Sequence, residues 1–161
     1  MKSSIKFYCY LVIGLITILF SFHSQAEILL TLESNSGYRQ VFSREELESL
    51  PQESFTTSTP WTKNIHTYQG PRLSLITDNF LQPFKSIKVY GINGYAYDIK
   101  EKVLKKYPFI LAMKQDGKRM ALRNKGPLWV LLPFNQYPKV DSKDEMLNKF
   151  VWQVNRIKAQ Q

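Results

Sequence analysis

The stretch "KGPLWVLLPF", residues 125–134, constrains the fold of this chain more than any other segment. A turn signal, Lys125-Gly126-Pro127, runs straight into five apolar residues, and the run stops at a Pro133-Phe134 corner. A strand with no polar alternate positions is apolar on both faces and has to be covered on both sides. Strands of this kind are ordinarily buried, and this one carries Trp129.

Whether the chain can cover such a strand depends on how much of it folds. Lys2 and Lys6 precede an apolar run over residues 7–22, and "SQA" places small residues at Ser24 and Ala26. That is the layout of a secretory signal peptide cut after Ala26; the alternative is an uncleaved anchor helix, for which the run is short. Removing residues 1–26 from 161 leaves 135, enough for a single domain, 27–161, with a real core. The one cysteine, Cys9, leaves with the signal. The exported chain is therefore expected to have no disulfide, no thiolate metal site and no cysteine nucleophile, and to rest on apolar burial.

Two of the 22 basic residues lie in the signal; set against 13 acids, the remainder gives the exported chain a net charge of +7. Outside the cytoplasm, nucleic acid is a poor partner for that charge. A basic face suits an acidic partner or an anionic ligand, or is simply solvated.

The pattern along the chain is mixed. "EILLTLES" and "RQVF" read as strands around an "NSG" turn. Ser43 with Glu46 three residues on forms a capping box for a short helix that Pro51 ends. "ESFTTSTPWT" is extended, with Pro60 bending the chain before Trp61. "RLSLITDNF" has helical spacing, and "KEKVLKKY" makes a turn or two of helix. Asn93-Gly94 and Asp116-Gly117 mark hairpins, joining "SIKVYGI" to "YAYDI" and "FILAMKQ" to "KRMALR". The C-terminal segment fits helix through Met146, Phe150, Val154 and Ile157, and equally fits a strand at "FVWQVNRI". Short strands with short helices and no repeat make an α+β domain.

Catalytic signatures are sparse. His66 is the only histidine after the signal and has no cysteine, serine or aspartate beside it in a motif. No zinc spacing and no phosphate loop are present. Glu45, Glu46 and Glu48 read as a solvated helix face; Asp141, Asp144 and Glu145 lack a calcium-loop pattern. What stands out is aromatic and guanidinium content at turns. Trp61 follows a Thr-Pro corner, Tyr95 and Tyr97 follow a tight turn, and Trp129 follows Gly126-Pro127, with Arg123 just before. Aromatics at loop corners suit the stacking of a flat ligand, although Trp129, in mid-strand, equally suits the core.

The order "TTSTPWT", "YQGPRLSLI", "INGYAYDI", "YPFILAMKQDGKRMALRNKGPLWVLLPF" and "VWQV" resembles the sulfite-oxidase-like molybdopterin-binding domain family over nearly all of residues 27–157. The resemblance implies an α+β fold with a curved, barrel-like mixed sheet and short helices, and favours a strand at "FVWQVNRI". In the family's enzymes a cysteine thiolate binds molybdenum and a longer chain wraps the cofactor. Both are missing here, which argues against an oxidoreductase and leaves a molybdopterin enzyme, or a subunit of one, as the alternative.

More narrowly, the chain is similar to short periplasmic members of the PruR type. These bind a free reduced pterin and contact the periplasmic domain of a membrane-bound cyclic-di-GMP synthase or phosphodiesterase. That resemblance implies a periplasmic, non-catalytic receptor that needs no metal and has pterin as ligand. It implies Trp61, Tyr95 and Trp129 as stacking walls, Asp98 or Asn93 as acceptor for the pterin's amino edge, and Arg123 as donor to its 4-oxo group. Relatives often carry an acid where Gly94 stands. In this picture residues 128–132 form the floor of a pocket, Gly126-Pro127 its entrance and Arg123 its rim. Lys100, Lys102, Lys105 and Lys106 form a basic cluster, either a docking face or a solvated helix.

Overall fold

The computed structural model describes residues 27–141 and 144–161. The expected signal segment lies outside them. Among the described residues no helix is long and apolar enough to cross a membrane.

The core of the architecture is a short buried ribbon. Strand β7 (Ile110–Ala112) pairs antiparallel with β10 (Trp129–Leu131), and all six residues are buried. Backbone bonds leave neither edge bare. On one side the Met113 amide donates to the Gln69 carbonyl at 2.8 Å; on the other the Val130 amide donates to Val151 at 3.0 Å and the Val154 amide to Leu128 at 2.9 Å. Both faces of the strand are covered, so the proline-bounded apolar run has the setting its composition demands.

Two larger sheets flank the ribbon. The first has five strands in the order β2-β1-β11-β5-β6: β1 (Ile28–Glu33), β2 (Arg39–Ser43), β5 (Ser86–Gly91), β6 (Ala96–Lys100) and β11 (Val154–Gln160). Only the β1–β11 pairing is parallel. The second has the order β3-β4-β8-β9: β3 (Gln52–Thr57), β4 (His66–Pro71), β8 (Lys114–Gln115) and β9 (Lys118–Arg119). The domain is thus α+β with short helices, as expected; among the described residues the strands form three sheets, none of them closed, so the barrel-like form is not seen.

Local chemistry explains most element ends. Helix α1 (Arg44–Ser49) starts at a complete capping box: the Ser43 hydroxyl accepts from the Glu46 amide at 3.2 Å, and the Glu46 carboxylate accepts from the Ser43 amide at 2.7 Å. Helix α2 (Leu73–Phe80) buries Leu73 and Ile76, and α3 (Glu101–Lys106) buries Leu104. The C-terminal ambiguity resolves into both forms: two short helices, α4 (Pro138–Asp141) and α5 (Asp144–Leu147), precede strand β11.

Two expectations change, and one strand has no counterpart among them. "FILAMKQ" is two strands, because Met113 leaves the ribbon to pair with Gln69. "KRMALR" is a two-residue strand followed by a 3-10 turn, Leu122–Asn124. Strand β4 carries no alternation signal. It forms because Gly70 lets its backbone press against Leu111, where any Cβ would overlap the Leu111 carbonyl.

Candidate functional site

At one end of the ribbon three loops meet around a hollow of about 340 Å³. Its lining includes Trp61, Asn93, Tyr95, Asn148, Phe150 and Trp152. Each arrives on a different device. Trp61 rides the loop after β3. That loop is tied to the turn at Asn135, whose side-chain oxygen accepts from the Ser58 hydroxyl at 3.1 Å, and it is braced internally by the Thr59 and Thr62 hydroxyls at 2.9 Å. The Trp61 ring is half-buried and touches four others: Phe150 at 5.5 Å between centroids, Trp129 at 5.9 Å, Phe134 at 6.0 Å and Trp152 at 6.1 Å.

The opposite wall is the turn between β5 and β6. Gly94 takes φ +83°, the left-handed conformation that a tight turn here requires. The Asn93 side-chain oxygen accepts from the Tyr95 amide at 3.1 Å. The Tyr95 hydroxyl then reaches across to donate to the Asn148 carbonyl at 3.1 Å, which joins this turn to the segment carrying Phe150 and Trp152. Burial against that wall, with Tyr97 nearby, raises the Tyr95 pKa above 10.0, so the hydroxyl keeps its proton through the neutral range.

Trp61, Asn93 and Tyr95 therefore line one hollow. The other sequence-derived candidates stand elsewhere. Trp129 is wholly buried behind Trp61, its indole nitrogen donating to the Phe150 carbonyl at 3.1 Å; its two-sided strand is covered, so residues 128–132 are core and not an open floor. Asp98 faces a separate hollow with Tyr97 and Lys149, and its carboxylate is 3.7 Å from the Lys88 amine. Arg123 projects from the exposed 3-10 turn and is not among the lining residues. Gly126 supports the site indirectly by close packing, since a Cβ there would overlap the Met120 backbone.

The cation at the aromatic cluster is Lys125, which sequence reasoning missed. It sits at φ 65°, with its amine 3.5 Å from the Trp61 carbonyl, 5.5 Å from the Trp129 ring and 5.7 Å from the Trp152 ring. Its lysine-before-glycine position read only as a turn. Asn148 and Trp152 were also missed, because they fall where helix and strand patterns overlap. His66 does have an acidic partner in space: its Nδ1 lies 2.7 Å from Asp116 Oδ2, and the Thr67 amide donates to Oδ1 at 2.9 Å. That amide first, and His66 second, lower the Asp116 pKa below its ordinary value. The pair joins β4 to the β8–β9 hairpin. Among the described residues no group of three or more metal-ligating side chains is present.

No protein-family model matches the chain, and no curated protein matches it. A solved structure does: the sulfane dehydrogenase SoxCD from Paracoccus pantotrophus is similar to it with a TM-score of 0.63 at 16% identity. The match covers 86% of this chain and 39% of that one, so this chain corresponds to well under half of the dehydrogenase chain. At that identity the likeness shows the fold, which is of the sulfite-oxidase-like kind.

Proposed function

We propose that this chain is a non-catalytic periplasmic receptor for a free reduced pterin, and that it regulates a membrane-bound cyclic-di-GMP synthase or phosphodiesterase. The observation that supports the reading is the convergence of Trp61, Tyr95 and Trp152 with the amides of Asn93 and Asn148 on one hollow. A pterin is a flat bicycle with a polar edge. Aromatic walls take its faces, and side-chain amides both donate to its carbonyl and accept from its amino edge. The fold class is compatible with such a ligand, being that of the sulfite-oxidase-like proteins.

A molybdenum-bearing pterin does not fit the residues present. Residues 27–161 contain no cysteine, so the thiolate ligand expected from the family resemblance has no counterpart. The likeness to a dehydrogenase favours a second reading, in which the chain is an oxidoreductase or part of one. Native mass spectrometry of freshly exported protein separates the two. A co-purifying pterin without metal supports the receptor; molybdenum in stoichiometric amount overturns it in favour of the enzyme.

A further inference from the structure

A second hollow, of about 500 Å³, lies along β6, the last strand of the five-stranded sheet, and shares no lining residue with the aromatic one. Its walls include Lys88 on β5, Tyr97, Asp98 and Lys100 on β6, Val103 on α3, and Lys149 from the segment before β11. Three of these are lysines and one is an acid. The strand register sets Lys88 opposite Asp98 and Lys100 opposite Ser86, all on one face of the sheet. The Lys88 amine is 3.7 Å from the Asp98 carboxylate, a loose and partly exposed pair that leaves other donors of the amine for a ligand. Lys100 has no acid across from it, and the adjacent Glu101 is held by Lys105 at 2.6 Å.

Lys149 is the least ordinary part of the wall. It is 3% exposed, and its amine stands 4.8 Å from the centroid of the Tyr97 ring. Lysine is seldom buried this far, and the contact with the ring fixes where the ammonium sits. Ammonium groups therefore reach the hollow from β5, from β6 and from the segment before β11. Lysines are point charges that suit a tetrahedral oxyanion met from several sides, whereas a planar carboxylate favours an arginine fork. Asp98 adds a second requirement. A carboxylate beside a bound anion repels it, unless the ligand also presents a hydroxyl for the carboxylate to accept from.

We propose that this hollow binds a phosphate ester of a small polyol, with Lys88, Lys100 and Lys149 facing the phosphate and Asp98 accepting from a polyol hydroxyl. The same chemistry is offered by a free phosphorylated polyol and by the headgroup of phosphatidylglycerol. The site stands apart from the pterin reading and does not depend on it. Its volume lies within the range of small-molecule pockets, and its reliance on partly exposed lysines makes the affinity fall as salt is added.

The test has two arms on the exported chain: calorimetry with glycerol 3-phosphate, and co-sedimentation with phosphatidylglycerol vesicles against phosphatidylcholine vesicles. Binding of glycerol 3-phosphate identifies a free ester as the ligand. Sedimentation with phosphatidylglycerol alone, without a calorimetric signal, identifies the lipid headgroup. In the arm that binds, Lys88→Gln and Lys100→Gln are each expected to weaken binding at least fivefold. Lys118→Gln, which removes the same charge from strand β9, is expected to stay within twofold of wild type. Lys149→Met is expected to weaken binding further, but the two exposed-face variants carry the test if it fails to fold. In the calorimetric arm, Asp98→Asn is expected to narrow the preference for glycerol 3-phosphate over inorganic phosphate. No binding in either arm, an equal loss in Lys118→Gln, or inorganic phosphate bound as tightly as the ester overturns the proposal. Dihydroneopterin affinity is expected to stay within twofold in Lys88→Gln, and a parallel loss there would overturn the separateness of the two sites.

Discussion

Trp61 stands edge-on to Trp129, 5.9 Å between ring centroids with planes 65° apart, and the two indoles have opposite situations. Trp129 is wholly buried on a strand covered on both faces, whereas Trp61 is half-buried and lines the hollow. Trp61→Ala should therefore weaken dihydroneopterin binding at least tenfold while the chain still folds, at a stability cost of about 2 kcal/mol for a half-buried ring. Trp129→Ala should cost about 3–5 kcal/mol and compromise folding before binding can be asked about. Calorimetry paired with urea denaturation separates these effects. Unchanged affinity in Trp61→Ala removes Trp61 from the site.

The Tyr95 hydroxyl holds two walls together through Asn148, and that role can be separated from stacking. Tyr95→Phe keeps the ring and loses the bond. It should cost about 0.5–1 kcal/mol of stability and reduce pterin affinity less than tenfold. Tyr95→Ala removes the ring as well and should reduce affinity further. Equal affinities for the two variants would show that the ring contributes nothing to binding.

Much of the fold is written locally. The Ser43-Glu46 capping box, the Asn93-Gly94 turn and the proline-bounded ribbon strand each follow from short-range chemistry, and each is present. Strand β4 was invisible because its cause is tertiary: only the approach of Leu111 gives Gly70 a reason to be there. The site divides the same way. Trp61 and the Asn93–Tyr95 turn sit at punctuated corners and reach one hollow. Asp98 and Arg123 carry suitable functional groups, but strand direction and turn geometry send them elsewhere. Lys125 carried no sequence signal, because its importance comes from three tryptophans that converge only after folding.

Close backbone packing at Gly126 fixes where the ribbon strand begins. A methyl group there would overlap the Met120 backbone, and the neighbouring carbonyl cannot swing away like a side-chain tip. Gly126→Ala should destabilise the protein by about 1–3 kcal/mol, at the upper end because the collision is with main chain. Gly37 offers a contrast: its Cβ would meet nothing, and only its φ of +84° resists substitution. Thermal melts of the two alanine variants should rank Gly126→Ala clearly lower.

Glu48 joins helix α1 to the β8–β9 hairpin. Its carboxylate accepts from Arg119 twice, at 3.1 Å from Nε and 2.9 Å from Nη2, and lies 3.9 Å from the Lys114 amine. The Arg119 hydrogen bonds, more than any other influence, lower the Glu48 pKa below its ordinary 4.5. The folded state therefore holds this proton less tightly than the unfolded chain does. The resulting stability is fully present above pH 4.5 and is lost as pH falls below that value and through the lowered folded one. Glu48→Gln should melt below wild type at pH 7, and the gap should close as the pH is taken well under 4.5. Because Arg119 is exposed, salt should narrow the gap at pH 7 as well. A gap that persists unchanged in acid would mean that shape, and not charge, is what Glu48 contributes.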